Sequence, residues 1–122
     1  MAAGICNLYI QQGETFSRTI TITNSSTPAV PFDLTGYSAR ASIRQFANSP
    51  ATIADFTCTI TNILGGVLKI ALTAAQTTAL PTPGKTAYND PARFQWDLEL
   101  YSSTEVIRLL NGAVDVSPEI TK

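Results

Sequence analysis

The chain has 122 residues, a formal net charge of −1, 44% hydrophobic and 14% charged residues, and no histidine. That length and apolar content furnish one domain around one core, and the eight scattered Lys and Arg form no basic stripe, which excludes nucleic acid as the expected partner. The missing histidine removes His-based triads, the usual zinc sites and the ordinary base that titrates near neutral pH.

No apolar run reaches bilayer length, and the start Met-Ala-Ala-Gly-Ile-Cys lacks the basic and apolar segments of a secretion signal, so the chain is expected to be made in the cytosol with no membrane contact. Cys6 and Cys58 imply no disulfide framework; two inert thiols are the expectation. With few charges and many Thr, Ser, Asn and Gln, the surface is neutral and polar, which permits broad protein contacts at low desolvation cost.

Apolar residues alternate with period two along most of the chain, the mark of strands with one buried face. A flexible arm over 1–7 leads to a short strand with Leu8 and Ile10, ended by Gln11-Gln12-Gly13. From Thr15 to Thr23, Phe16, Ile20 and Ile22 share one face and hydroxyl residues the other, with Arg18 interrupting the apolar side. A turn over Asn24-Ser25-Ser26-Thr27-Pro28 follows. Asp33 suits an Asx-type turn and Gly36 a turn conformation, after which Tyr37, Ala39, Ala41 and Ile43 oppose Ser38, Arg40, Ser42 and Arg44. Ile53 to Thr61 reads as one strand with Phe56, Cys58 and Ile60 inward; the Gly65-Gly66 turn then makes it a hairpin with Leu68, Ile70 and Leu72.

Thr73 and Gln76 have capping-box spacing, so a short helix is expected before Pro81. Pro81 to Ala92 is a surface loop. Phe94, Trp96, Leu98 and Leu100 then alternate with Arg93, Gln95, Asp97, Glu99 and Tyr101, which predicts a buried Trp96 and a hairpin through Ser102-Ser103-Thr104. In the return strand from Glu105 to about Val116, both parities are apolar over Val106 to Leu110, so a bulge is expected near Asn111-Gly112. Residues 118–122 form a short tail. The count is about seven strands with one short helical turn, as in an antiparallel β-sandwich spanning residues 1–122 as a single domain, with a small barrel as the alternative.

No residue pattern points to catalysis, a cofactor or a metal. Asp97 and Glu99 share a face with a spacing of about 7 Å, but their place opposite Trp96, Leu98 and Leu100 makes them outer-face partners for Arg40, Arg44, Arg93 or Arg108. Asp33, Asp55 and Asp90 stand at separate turns or strand ends without calcium-loop spacing. Protein-interface candidates are Tyr9, Tyr88 and Tyr101, for their large amphipathic rings, with Pro83, Lys85 and Asn89 from the 81–92 loop. The Asn24 to Pro31 turn and the N-terminal arm up to Tyr9 are the other candidate contact segments.

Phe32-Asp33-Leu34-Thr35-Gly36-Tyr37, followed by Ala39-Arg40-Ala41-Ser42-Ile43-Arg44, resembles the "DLTGY…IR" segment of small tail-associated and baseplate proteins of bacteriophages and prophages. Three further stretches match in order: Gly66 to Thr77, Phe94 to Leu100 and Arg108 to Thr121. Across roughly residues 15 to 121 the chain is similar to the N-terminal domain of baseplate upper proteins. That resemblance implies an immunoglobulin-like β-sandwich without enzymatic activity, a virion structural protein that joins tail-hub components to a fibre or spike. It further implies symmetric multiple copies contacting other virion proteins, with the chain synthesised in the host bacterial cytoplasm and residing in the virion. The resembling domains often continue into a coiled coil or fibre region, which these residues do not include, leaving adaptor, plug and decorating roles open. A capsid-decorating protein is one alternative; another is a glycan-binding module using Trp96, Tyr88 or Tyr101 with Asp97 and Glu99.

Overall fold

The computed structural model describes residues 4–23, 30–46 and 51–120. The turn expected at 24–28 therefore lies outside the described residues, as do 1–3 of the arm, most of the candidate contact turn over 24–31, and 121–122 of the tail.

The chain is all-β, with nine strands among the described residues and one short helix: β1 (Gly4–Ile5), β2 (Leu8–Gln11), β3 (Phe16–Thr21), β4 (Ser38–Arg44), β5 (Ala54–Asp55), β6 (Thr57–Asn62), β7 (Val67–Leu72), α1 (Ala74–Thr78), β8 (Ala92–Tyr101) and β9 (Val106–Ser117). They form two sheets. The larger has the order β1-β9-β8-β4-β5, with β2 also on β9; the smaller has the order β3-β7-β6. One apolar cluster draws on both sheets, with Ile10, Ile43, Leu98, Leu100, Val114 and Val116 from the larger and Leu68, Ile70 and Leu72 from the smaller, all fully buried. Each such side chain contributes about 1.5–3 kcal/mol through the apolar area it removes from water.

Period-two patterning fixes which face is buried. In β8, Ala92, Phe94, Trp96, Leu98 and Leu100 are buried, and the residues between them are exposed or half-buried. The same logic holds for Leu68, Ile70 and Leu72 of β7. Local chemistry sets the turns. The Asp33 carboxylate accepts from the Thr35 amide at 2.9 Å, closing the expected Asx turn, and Gly36 has φ +82°. Gly66 has φ +69°, and a Cβ there would press on the backbone of Ile22 and Phe32, so both conformation and space require glycine.

Three sequence expectations need correction. About seven strands become nine because residues 4–5, ahead of the expected first strand, form a strand of their own and because the run 53–61 is divided between sheets. Ala54 pairs with Ile43 in the larger sheet, whereas Thr57 begins its pairing with β7 in the smaller. Phe56, between them, packs against Phe16 and Trp96 with ring centroids 5.9 Å apart in each case, so one core residue serves both sheets and the alternation cannot reveal the division.

The architecture is also not wholly antiparallel: β1 and β2 both run parallel to β9. Residues 4 and 5, expected within a flexible arm, are already in this ladder. The bulge expected in β9 near Asn111-Gly112 is present, at Leu109: Leu98 pairs with Leu110 and Glu99 with Arg108, so Leu109 has no register partner and is buried.

The helix is as expected. Thr73 Oγ1 accepts from the Gln76 amide at 3.2 Å and Gln76 Oε1 accepts from the Thr73 amide at 2.8 Å, a reciprocal box that satisfies two otherwise orphaned donors. Thr77, completely buried, ties the helix to the turn before β3: its Oγ1 accepts from the Gly13 amide and donates to the Glu14 carbonyl.

Candidate functional site

The charged side chains of β4, β8 and β9 collect on the outer face of the larger sheet. The parity that buries Trp96 and Leu98 turns Arg93, Gln95, Asp97, Glu99 and Tyr101 outward, and the registers bring β4 and β9 residues beside them. Glu99 lies between Arg40 and Arg108, Asp97 between Ser42 and Asn111, Gln95 between Arg44 and Ala113, and Arg93 beside Asp115.

These neighbours make ion pairs. Arg40 Nε approaches Glu99 Oε1 at 2.9 Å, and its guanidinium lies 4.7 Å above the centroid of the Tyr101 ring. Arg108 Nε is 3.6 Å from Asp97 Oδ2. Arg93 grips Asp115 with Nε–Oδ1 at 2.7 Å and Nη2–Oδ2 at 3.0 Å, a two-point contact that holds the Asp115 carboxyl below its usual range. Asp97 goes the other way: burial first, and then the neighbouring Glu99 charge, raise its carboxyl, outweighing Arg108, Arg44 and Arg40.

Between the strands lies a concavity of about 370 Å³ whose polar wall comes from Ser42, Arg44, Gln95, Asp97, Arg108 and Asn111. Ile5, 80% exposed, forms its apolar rim. Val106 and Tyr9 are also exposed, and their register beside Tyr101 and Asp115 places them on the same face. Arginine and tyrosine are residue types enriched at protein interfaces. Asp97 and Glu99 each have an arginine partner, and Trp96, 3% exposed, points inward to donate to the Cys6 carbonyl at 2.7 Å, so its ring is not offered to a ligand.

The smaller sheet is different. Its outer face carries Ser17, Thr19 and Thr21 on β3 and Thr57, Thr59 and Thr61 on β6, with Lys69 between them as its one charge. Among the described residues no group of three or more His, Cys, Asp or Glu could hold a metal ion, and no helix is long and apolar enough to cross a membrane.

No family model matches the chain, and no curated protein matches it.

The interface candidates divide into two groups. Tyr9 and Tyr101 both belong to the larger sheet, at opposite ends of its outer face. Pro83, Lys85, Tyr88 and Asn89 lie in the 81–91 loop, at the end of the sheet nearer Tyr9. That loop is pinned at its base: Ser117 Oγ donates to the Tyr88 carbonyl at 2.7 Å, and Lys85 Nζ pairs with Asp90 at 3.2 Å. Tyr88 remains exposed. Sequence reasoning placed Ile5 in a candidate contact segment, the arm up to Tyr9, but missed Val106 as a surface residue and missed the concavity. The alternation identified its charged members, but only the non-local registers of β1, β4 and β9 bring them together.

Proposed function

We propose that this chain is a structural protein of a bacteriophage virion, an adaptor in the tail or baseplate that joins a hub component to a fibre or spike. The observation that carries the reading is the order of its strands. The resemblance over residues 15 to 121 implies an immunoglobulin-like sandwich, which has one sheet of three or four strands facing another whose middle strands are the last hairpin and its neighbour. Here β3-β7-β6 take the places of strands B, E and D; β9, β8, β4 and β5 those of G, F, C and C′, with the first strand beside the last. This strand order supports the reading beside the sequence motifs.

Docking would use the outer face of the larger sheet. The six strands fill five positions about 4.8 Å apart, and the three long ones, β4, β8 and β9, have seven or more residues at about 3.3 Å each, which gives a face on the order of 500 Å², the contribution of one partner to a small specific interface. Such contacts become secure when repeated symmetrically around a tail. The charged pairs give orientation more than affinity.

Mass spectrometry of purified particles together with a map of the assembly tests the reading. A few to a few dozen copies at the tail are expected. Hundreds of copies on the head would replace it with a capsid-decorating role, and a monomeric protein with no copy at the tail would overturn it. Glycan binding that disappears on Tyr88→Ala would favour a carbohydrate-binding module instead.

A further inference from the structure

Gly4 lies beside Leu110 and Gln11 beside Ser117, so the first and last strands run in the same direction along one ladder. The register is unchanged across the break at Cys6–Asn7, which makes β1 and β2 two parts of one mechanical element. The chain enters this ladder towards the Ser102–Glu105 turn and leaves it at the other end, beside α1. A pull on the two ends of the chain therefore slides β1 and β2 lengthwise against β9. In that geometry every bond of the ladder resists together, whereas strands separated from one end break their bonds one after another.

Cross-links concentrate at the middle of the ladder and at its far end. At the break, the Cys6 amide donates to the Asn111 carbonyl at 2.9 Å, the Cys6 carbonyl accepts from Trp96 Nε1, and Asn7 Oδ1 accepts from the Ala113 amide at 3.0 Å. At the far end, the Gln12 amide donates to the Ser117 carbonyl at 3.0 Å. The Gln12 side chain then spans three segments, with Nε2 donating to the Leu80 carbonyl at 2.8 Å and Oε1 accepting from the Glu119 amide at 2.9 Å. Gly112 lets the two backbones approach, because a Cβ there would collide with the Cys6 carbonyl.

We propose that the chain is a tension-bearing link in which the first and last strands form a shear clamp, locked at Cys6–Asn7 and at Gln12. Where the tension arises rests on the tail reading; the clamp itself is a property of the isolated chain.

Single-molecule force measurements on the intact chain test it, since forced rupture reports the unfolding barrier along the direction of pull. One molecule carries handles at its N and C termini; a second carries them at the N terminus and in the Ser102–Glu105 turn, so that β1 is peeled from its open end. The clamp requires a rupture force several-fold higher in the first geometry, and equal forces would overturn it. Asn7→Ala removes one lock without touching the core. It should lower the force for the terminal pull and leave the peeling force unchanged, and an unchanged terminal force would remove Asn7 from the lock. The wild-type comparison decides the matter even if that variant folds poorly. Absence of the protein from the tail would end the adaptor reading and leave this result standing.

Discussion

The indole nitrogen of Trp96 donates to the carbonyl oxygen of Cys6 at 2.7 Å across 90 positions of sequence. The bond joins the centre of the larger sheet to its edge strand and satisfies a polar atom on an otherwise core-facing ring. Trp96→Phe removes the donor and leaves the carbonyl in place. We expect a loss of about 1–3 kcal/mol, from the lost hydrogen bond together with the volume removed from the core, read from urea unfolding followed by circular dichroism. In the native wild type, acrylamide should barely quench the Trp96 fluorescence.

Gly112→Ala should be destabilising for a different reason. The new methyl would lie 2.8 Å from the Cys6 carbonyl carbon and closer still to its oxygen, and both are backbone atoms that cannot rotate away. The edge strand must move off β9, at about 1–3 kcal/mol, the usual cost of overpacking. A lower urea midpoint with faster amide exchange over residues 4–7 is the expected signature.

The two acids of the charged face should respond to pH with opposite signs. Asp115 is held below its ordinary value by Arg93, so it stabilises the fold at neutral pH, and that contribution disappears as pH falls through its depressed value. Asp97 is raised, so its ionised form opposes folding, and the penalty lifts as pH falls into its raised range. Asp115→Asn should therefore lower the melting temperature at pH 7, by an amount that shrinks as the pH is taken below the ordinary carboxylate range. Asp97→Asn should leave it unchanged or raise it at pH 7. Both effects are expected to be modest because solvent reaches the groups.

Burial pushes the Cys58 thiol up to about 11. At pH 8 roughly one molecule in a thousand then carries the thiolate, the reactive form. Iodoacetamide should label Cys58 very slowly in the native protein and at the rate of an ordinary thiol in urea, as read by peptide mass spectrometry.

Arg18 occupies an inward parity of β3, opposite Ile70, on a strand that forms one edge of the smaller sheet. A charge in that position discourages another strand from adding to the edge. Arg18→Ile should increase self-association, measured by sedimentation at rising concentration, whereas Thr19→Ile on the outer parity should do so less.

Features governed by neighbouring residues were legible in the sequence. The Asp33 turn, the Thr73–Gln76 capping box and the buried parity of β8 each follow from side chains within a few positions of one another. What escaped depends on contacts between distant segments. The apolar residues on both parities of Val106 to Leu110 announced a bulge, but its position at Leu109 is set by the pairing with β8. Phe56 faces the core on either side of the change of sheet, which concealed the division of 53–61. Parallel pairing of β1 and β2 with β9 leaves no trace in either segment alone. For the candidate site, parity assigned Asp97, Glu99 and the arginines to an outer face; their grouping around a concavity with Ile5 required the registers.

The contrast between the two outer faces makes the module respond unequally to its solvent. Added salt screens the arginine–carboxylate mosaic within about a Debye length, near 10 Å at 0.1 M, and has almost nothing to act on among the threonines of β3 and β6. Contacts made through one side can thus be released by ionic strength while contacts through the other persist, so a single small domain can hold two neighbours by attachments of different permanence.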